Sequence, residues 1–266
     1  MNYVKKALNK AISILYPVID TQNLPVNNKQ FIKVWYKHYL KILQLSYSQV
    51  HIKQSMPVKV LEIGLGYGVI SLALNFMGYK VIASEHPSRE FIKKDFLDIF
   101  LKKEIKIVLH DLNDGLPFHH SSFDIILFCD VIEHLYPWKI HFILNEIKRC
   151  LKKNGELILS TPNLCRFSNI PRFLSGCRIN PSLIPQKFGE TFDHIREFSF
   201  KEIQYLLQGE GFKIKIVKFG LIPFFDLTQN KKIKKLNYVI SKLLFPLFPW
   251  YGDEIYIKGS KKCSML

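Results

Sequence analysis

The sequence has no apolar run that approaches the roughly 18 to 20 residues of a membrane-spanning helix. Its first segment, MNYVKKALNKAISILYPVID, has Lys5 and Lys6 near its start, but Lys10 interrupts the short apolar stretch and no small-residue cleavage site follows. That pattern indicates an amphipathic helix and not a signal peptide. We therefore expect a cytoplasmic protein that is soluble or peripheral to a membrane.

Cysteine and arginine are sparse as well. The five Cys form no CxxC pair and no spacing typical of a metal site, so we expect reduced thiols and no bound metal. The net charge of +16 comes mainly from Lys, because only 6 of the 38 basic residues are Arg. Nucleic-acid sites usually depend on Arg for bidentate contacts, so this charge is a weak indication of an anionic partner.

From Val58 onward, apolar strands alternate with helical segments. We predict the strands VKVLEIG, YKVIASE, IKIVLHD, SFDIILFCD, ELILSTP, FKIKIVKFG and DEIYIKGSK. The predicted helices are VISLALNFMG, EFIKKDFLDIFLKK, HFILNEIKRCLKKNG, which would end at Gly155, and FSFKEIQYLLQGEG with Ser199 as its N-cap. Continuous apolar strands alternating with helices are typical of an α/β fold with a doubly wound, mostly parallel sheet.

The spacing of apolar residues and the positions of Pro and Arg divide the sequence into three parts. Residues 1–56 form a predicted N-terminal helical extension with aromatic and apolar residues at helical spacing (Phe31, Trp35, Tyr39 and Leu43). Residues 57–220 form the core, in which residues 163–198 are rich in Pro and Arg and are too long for an ordinary connection, which favours a functional cover. Residues 221–266 contain a second insertion, the last strand and a tail.

The stretch LEIGLGYG carries glycines at every second position after a buried strand. A dinucleotide loop follows G-x-G-x-x-G, but here the glycines are Gly64, Gly66 and Gly68, and position 69 is Val. A P-loop requires a Lys after its last glycine, and none follows Gly68. The remaining interpretation is a ligand whose body lies directly against the loop backbone.

Acidic residues near the ends of three strands narrow the choice of ligand. Glu62, just before the glycines, would repel a pyrophosphate and suits a cationic amine. Glu85 ends the second strand, where a carboxylate can accept both hydroxyls of a ribose. Asp111 ends the third strand and can accept from an adenine amino group, although Asp114 is a competitor. Ribose, adenine and an ammonium-bearing tail together describe S-adenosylmethionine (SAM).

With these features the sequence resembles the class I SAM-dependent methyltransferases. It is most similar to their small-molecule and O-methyltransferase branch, which includes the ubiquinone-biosynthesis type. The matching motifs are LEIGLGYG, VIASEHP, HDLNDGLPF, SFDIILFCDVIEHL, LKKNGELILSTPN and HIREFSFKEIQYLLQGEGF. They occur in family order over roughly residues 57 to 220. The resemblance implies a seven-stranded, Rossmann-like methyltransferase fold whose last strand is antiparallel to the others.

The resemblance also implies roles for individual residues. Gly64, Gly66 and Gly68 would shape the loop around the methionine part of SAM, with Glu62 orienting it, and Glu85 would bind the ribose. The remaining members of the predicted cofactor site are Leu65 and Tyr67 in the loop, His86 after Glu85, Asp111 and Leu112 beside the adenine, and Cys129 and Asp130 near the methyl group.

Two histidines are candidates for a general base that would activate a hydroxyl acceptor. His134 lies in DVIEHL after the fourth strand, and His194 lies in TFDHIREF at the end of the cover. An imidazole suits this role at neutral pH. Each could equally form a structural hydrogen bond. With no metal spacing in the sequence, we do not expect a metal-dependent mechanism.

Motifs that this chain lacks disfavour some classes of acceptor, but they do not identify the acceptor. Enzymes that methylate amino groups of nucleic acids carry [DN]PP[YF] after the fourth strand, where this chain has CDVIEH, and no Cys stands in the setting that cytosine C5 enzymes need. Nucleic acid is therefore an unlikely partner, although RNA ribose methylation stays open. The leading hypothesis is O-methylation of a small-molecule, lipid-like or glycan-like acceptor.

The C-terminal region raises a further alternative, a membrane-associated binding module that has kept the fold without turnover. Residues 231–251, KKIKKLNYVISKLLFPLFPWY, place Lys before an apolar and aromatic segment, as in interfacial elements. A helix packed over the substrate pocket explains the same segment. The final residues CSML also fit a C-a-a-X lipidation pattern, which arises often by chance.

Overall fold

The computed structural model describes residues 2–20, 28–47, 57–88, 94–176, 194–221 and 231–261. Residues 177–193 of the predicted cover and the C-a-a-X residue Cys263 lie outside these ranges. The helices are α1 (Asn2–Asp20), α2 (Asn28–Ser46), α3 (Val69–Phe76), α4 (Lys94–Leu101), α5 (Pro137–Cys150), α6 (Asn169–Leu174), α7 (Phe200–Gly209) and α8 (Lys231–Leu244). The strands are β1 (Lys59–Ile63), β2 (Lys80–Glu85), β3 (Lys106–Leu109), β4 (Phe123–Cys129), β5 (Leu151–Pro162), β6 (Phe212–Gly220) and β7 (Glu254–Lys261). Three short 3-10 helices, Leu112–Asp114, Ile132–His134 and Pro249–Tyr251, complete the set.

The seven strands form one sheet in the order β3-β2-β1-β4-β5-β7-β6. Strands β1 to β5 pair in parallel, and β7 pairs antiparallel with both β5 and β6. The predicted doubly wound α/β fold with an antiparallel last strand is therefore confirmed. The strand order reverses between β1 and β4, and ligands of open α/β sheets bind outside the carboxyl ends of strands at such a point.

The N-terminal helices pack directly on the core. On α1 the apolar residues Val4, Leu8, Ala11 and Leu15 share one face, and all are at most 2% exposed. They belong to the same buried cluster as the residues of α3. The end of α2 is tied to the sheet, because Tyr79 donates to the Ser46 carbonyl at 3.1 Å and Lys258 to the Leu45 carbonyl at 3.0 Å. This packing brings α2 next to the carboxyl ends of β1 and β4.

The predicted boundary between α5 and β5 was wrong. We expected the helix to begin at His141 and to end at Gly155, but it starts at Pro137 and ends at Cys150. Proline suits the first turn of a helix because the missing N–H has no partner there. At the other end, Leu151 already pairs with Phe123 of β4, and Lys152 forms an ion pair of 2.8 Å with Asp124. Pairing with β4 therefore overrides the helical propensity of LKKN.

The two insertions contain short helical elements. The cover holds α6, and the segment between β6 and β7 holds α8. Ser199 caps α7 as predicted, and it forms a capping box with Glu202. None of the helices in the described residues is both long and apolar enough to cross a membrane.

Candidate functional site

The glycine loop between β1 and α3 has a left-handed backbone at all three glycine positions. Gly64, Gly66 and Gly68 have φ angles of 79°, 52° and 70°, in the left-handed region that L side chains rarely adopt. A Cβ on Gly64 would lie 2.6 Å from Val131 Cγ2, and one on Gly68 would overlap the Phe100 ring. The alternating pattern therefore reflects both backbone conformation and close packing.

Glu85 connects the glycine loop to β2. Its Oε2 accepts from the Gly66 N–H at 3.0 Å, and its Oε1 accepts from the His86 N–H at 2.9 Å. The Gly64 and Leu65 N–H groups both donate to the Ser84 carbonyl at 3.0 Å. Glu85 as a whole is only 8% exposed, although it lines the cavity described below. Glu85 thus holds the loop in place and also faces the cavity.

Glu62 is a buried carboxyl at the end of β1. Burial raises its pKa to about 8, a hydrogen bond from the Ser71 hydroxyl acts in the opposite direction, and the charge of Glu85 adds to the rise. The group is therefore mostly protonated at neutral pH unless a cation lies beside it. This is the environment that a ligand with an ammonium group would complete.

Asp111 stands at the start of the 3-10 helix after β3. Its Oδ1 accepts from the Asn113 N–H at 2.8 Å, and this bond is the main reason that its pKa lies below the usual value. Its Oδ2 lies 3.7 Å from His86 Nε2. Asp111, Leu112 and His86 line the cavity, whereas the competing Asp114 is not among the lining residues.

Asp130 follows β4 and is the centre of a polar group in which His38 is buried and the Asp130 side chain is 29% exposed. It accepts from Ser160 Oγ at 2.8 Å, and its Oδ2 lies 3.0 Å from His38 Nε2. Burial alone would raise its pKa, but His38 and the hydrogen bonds outweigh burial and hold the pKa at about 2. His38 Nδ1 in turn lies 3.0 Å from the Tyr256 hydroxyl. Burial also raises the pKa of the neighbouring Cys129 thiol, so this Cys stays a neutral thiol.

The two predicted histidines lie against each other. The rings of His134 and His194 are 4.9 Å apart in an edge-to-face arrangement. His134 lines the cavity and His194 does not. Ligand atoms of Glu133, His134 and His194 all lie within 4.8 Å of one another, so folding assembles a possible metal-binding group that no sequence spacing indicates. The expectation of no metal stays a prediction.

One cavity of about 540 Å³ joins these features at the carboxyl ends of the parallel strands. Every residue of the predicted site except His194 lines it. The sequence analysis missed the contribution of α2, which adds Trp35, His38 and Tyr39. The available signal was a His three residues after Trp35, within a helix whose aromatic residues were already recognised.

Comparison with known proteins agrees with this architecture. The family model described as a methyltransferase domain matches residues 61–159, from the end of β1 to β5. A ubiquinone biosynthesis O-methyltransferase of Rickettsia typhi is 25% identical over 190 residues, which cover 69% of this chain and 70% of that protein. An uncharacterised protein of Methanocaldococcus jannaschii is 34% identical, but only over 39% of this chain and 40% of its own length.

Solved structures show the same fold. A SAM-dependent methyltransferase of Methanosarcina mazei is 19% identical, with a TM-score of 0.52 over 81% of this chain and 98% of that one. The 1,6-didemethyltoxoflavin-N1-methyltransferase of Burkholderia thailandensis, solved with S-adenosylhomocysteine, is 14% identical, with a TM-score of 0.52 over 88% and 86% of the two chains. The methyltransferase-domain match over residues 61–159, the shared fold and the glycine loop agree with the resemblance to class I SAM-dependent methyltransferases. The cofactor that they support is SAM.

Proposed function

We propose that the chain transfers the methyl group of SAM to a hydroxyl oxygen of a small, lipid-like acceptor. The observation that carries the choice of acceptor is an exposed aromatic pair at the cavity. Tyr136 lines the cavity, and its ring stacks on Trp138 at 4.7 Å and 12°. Their exposed fractions are 51% and 71%, so two large rings lie in water where an apolar acceptor would cover them. The name of the Rickettsia relative supports oxygen as the accepting atom.

We propose the following roles for the lining residues. Gly64, Gly66 and Gly68 allow the loop backbone to contact the methionine part of the cofactor, and Glu62 faces its ammonium group. Glu85 accepts the ribose hydroxyls, with Asp111 and Leu112 beside the adenine. Leu65, Tyr67 and His86 complete the wall around the nucleoside, and Cys129 and Asp130 border the reacting end.

The bound cofactor supplies a methyl group already activated by its sulfonium. The chain therefore has to hold the acceptor oxygen in line with that methyl group and to remove the hydroxyl proton. His134 is the imidazole that lines the cavity, and we propose it as the group nearest to the acceptor. His194 supports it from behind. The pKa of Asp130, about 2, keeps its carboxylate ionised at the same end, and a negative charge there favours a positively charged donor.

An extract assay tests this function directly. Cell extract is incubated with the purified enzyme and SAM labelled in its methyl group, and the label is followed into organic and aqueous phases. We expect enzyme-dependent label in the organic phase, carried by an ether-linked methyl group. Label that enters only RNA, or only the aqueous phase, would contradict the lipid-like acceptor, and absence of SAM binding would contradict methyl transfer itself.

Replacing Glu85 by Ala is expected to weaken SAM binding at least tenfold. The variant loses the ribose acceptor and also the bond to the Gly66 N–H that positions the loop, and hydrogen bonds to a charged group contribute about 1.5–3 kcal/mol. Isothermal titration calorimetry measures the change. Asp114→Ala is the matched control, because it removes an exposed acid at the same edge of the sheet that does not line the cavity. Unchanged affinity in Glu85→Ala would remove the ribose assignment.

SAM binding at pH 6.5 is expected to release close to one proton from Glu62. The carboxyl has a pKa of about 8 in the free protein, so it is protonated at this pH, and the ammonium of SAM favours the ionised form. Glu85 on β2, Tyr39 on α2 and Cys129 on β4 face the same group. Glu85 repels the ionised form of Glu62, and Tyr39 and Cys129 stay neutral. The ligand is therefore the cation that favours ionisation of Glu62.

Calorimetry in two buffers of different protonation enthalpy measures this proton directly. In Glu62→Gln the buffer dependence should vanish and binding should weaken. Equal proton release by wild type and Glu62→Gln would show that another group titrates. The pH of 6.5 keeps the amino group of SAM protonated, so its own titration does not mask the effect.

We further propose a peripheral membrane contact through α8. Leu236, Val239, Ile240 and Leu243 form a stripe at helical spacing, and each is between 43% and 70% exposed. Ser241 lies on the opposite face of the helix, and it is buried, with 5% of its surface exposed. The helix thus turns its apolar stripe outward.

Exposed Lys232, Lys235 and Lys242 border this stripe and suit anionic headgroups. Flotation with vesicles containing anionic lipid should carry the wild-type protein, and a Leu236→Asp/Leu243→Asp variant should stay behind. Equal flotation of the two proteins, or of neither, would contradict the contact.

A further inference from the structure

One side chain of the N-terminal extension, His38 of α2, contacts the residue that follows β4. Its Nε2 lies 3.0 Å from Asp130 Oδ2, and its Nδ1 lies 3.0 Å from the Tyr256 hydroxyl. His38 and Asp130 both line the cavity, but the side chain of His38 is 2% exposed and that of Asp130 is 29% exposed. Asp130 therefore faces the cavity, and His38 lies behind it.

The imidazole of His38 is held by its neighbours. The Trp35 ring packs edge-to-face against it at 4.9 Å, and the Tyr256 ring lies 5.5 Å away at 47°. One turn further along α2, Lys41 Nζ donates to the Phe219 carbonyl and ties the helix to β6. The imidazole is therefore a fixed part of the cavity wall.

The contact between His38 and Asp130 is a hydrogen bond in which the imidazole donates. An ionised carboxylate only accepts, so Nε2 carries the hydrogen. Nδ1 faces the Tyr256 hydroxyl, which can donate or accept. Because both ring nitrogens have partners, His38 is not placed to take a proton from an acceptor. The group on which it acts is Asp130.

Asp130 is also fixed from its other side and through its backbone. Its Oδ1 accepts from Ser160 Oγ at 2.8 Å, and its N–H donates to the Ser160 carbonyl at 3.0 Å. Its φ is 54°, in the left-handed region. In the described parts of the chain, two other non-glycine residues share this feature, Glu104 and Ser121, and both are exposed. A positive φ that neighbouring groups hold in place is a feature typical of functional sites.

Nearby acids make the two donors to Asp130 important. Glu133 and Glu254 are both 0% exposed, and burial and then the charge of Asp130 raise the pKa of each well above its usual value. The Asp130 carboxylate thus lies beside two carboxyl groups that would repel it when ionised. The hydrogen bonds from His38 and Ser160 offset that repulsion.

We propose that His38 is a positioning residue for methyl transfer, because it fixes the Asp130 carboxylate at the reacting end of the cavity. Each carboxylate oxygen has two lone pairs, so Oδ1 and Oδ2 can still accept from the hydroxyl of an acceptor. A hydroxyl held in this way has a fixed direction, on which in-line transfer depends. That Asp130 lies at the reacting end rests on the proposed function, whereas the contacts of His38 do not depend on it.

Two substitutions of similar length separate hydrogen bonding from packing. His38→Gln keeps an N–H group that can reach Asp130, whereas His38→Met fills similar space and cannot donate. Tyr79→Phe is the matched control, because it removes a hydrogen bond that anchors α2 at the Ser46 carbonyl and leaves Asp130 untouched. Urea denaturation checks the folding of each protein, and calorimetry gives its affinity for SAM.

Methyl transfer is measured with saturating, methyl-labelled SAM and with cell extract as the source of acceptor. We expect His38→Met to transfer label at least tenfold more slowly than wild type, because the acceptor loses its fixed direction. Its affinity for SAM should stay close to that of wild type. His38→Gln should recover most of the rate, and Tyr79→Phe should transfer label like wild type.

A second readout does not depend on turnover. The ¹³C resonance of the labelled methyl group of bound SAM responds to the position of a charged group beside it. We expect this resonance to move in His38→Met and to stay at its wild-type position in His38→Gln. It should also move in Tyr256→Phe, which removes only the hydroxyl behind the imidazole and serves as the test if His38→Met does not fold.

Three results would overturn the proposal. The first is a wild-type rate and resonance in His38→Met, and the second is an equal loss in His38→Gln and His38→Met, which would mean that the imidazole acts by filling space. The third is a loss of SAM affinity in His38→Met that accounts for the slower transfer.

The two readouts also separate this proposal from the proposed function. If transfer occurs and the His38 variants leave rate and resonance unchanged, the role of His38 fails and the proposed function stands. If SAM binds but wild type transfers no label, the proposed function fails and the methyl resonance decides the role of His38. That role then requires a resonance that moves in His38→Met and not in His38→Gln.

Discussion

Replacing Arg166 by Met should lower the free energy of unfolding by about 3–5 kcal/mol. Arg166 and Glu197 form an ion pair in which the side chains are 2% and 4% exposed. Burial raises the pKa of the Glu197 carboxyl, but His194 and Arg166 outweigh burial and keep it below the usual value, so the group is ionised. Without Arg166 a buried charge loses its main partner, and that loss is the reason for the large effect.

Urea denaturation of single and double variants separates the lost charge pair from lost packing. In Arg166→Met/Glu197→Leu both charges of this pair are absent, so neither is left buried without its partner. We therefore expect the double variant to be more stable than Arg166→Met alone. Lys152→Met is the surface control. Its pair with Asp124 is 2.8 Å long but 44% exposed at Lys152, and we expect a loss below about 1 kcal/mol. A double variant as unstable as the single one would mean that the guanidinium acts by filling space.

Gly68→Ala is the second change with a large expected effect, a loss of about 2–5 kcal/mol. The φ of 70° costs an L residue about 1–2 kcal/mol, and overpacking costs about 1–3 kcal/mol more. The new methyl group would overlap the ring of Phe100, which is 0% exposed and cannot turn into solvent. SAM binding should fall as well, because the loop has to move.

Gly78→Ala gives the matched control for backbone strain. Its φ is 84°, and a Cβ there meets no atom within 4 Å. Thermal or urea unfolding should therefore show a loss of about 1–2 kcal/mol for Gly78→Ala and a larger one for Gly68→Ala. Equal losses of unfolding free energy in the two variants would mean that backbone strain, and not the contact with Phe100, explains the whole effect. Unchanged SAM affinity in Gly68→Ala would show that the loop tolerates a shift.

Much of the fold was predictable because its strands are short apolar runs between Gly, Pro and polar residues. The α5–β5 boundary was not, since LKKNG is a helix-like sequence whose structure is decided by pairing with β4. Leu151 lies opposite Phe123, a residue 28 positions earlier, and local propensity carries no information about such a partner.

The candidate site divides in the same way. Glu62, Glu85 and the three glycines could be recognised because each stands at a fixed place relative to one strand end. His38 could not, since its role depends on how α2 packs against β4 and β7. The group of Glu133, His134 and His194 depends on backbone bonds between residues about 60 positions apart, and the sequence shows only two separate motifs.

The place of β7 has a consequence for folding during synthesis. This strand lies between β5 and β6, and Pro162 of β5 pairs with Glu254 of β7. While the ribosome makes the residues between them, the edge of β5 has no neighbour, and its N–H and C=O groups are free to pair with another chain. A nascent chain that stalls in the segment containing α8 would therefore leave an open edge in the middle of the future sheet. We expect such truncated chains to aggregate, although their cofactor loop is already complete.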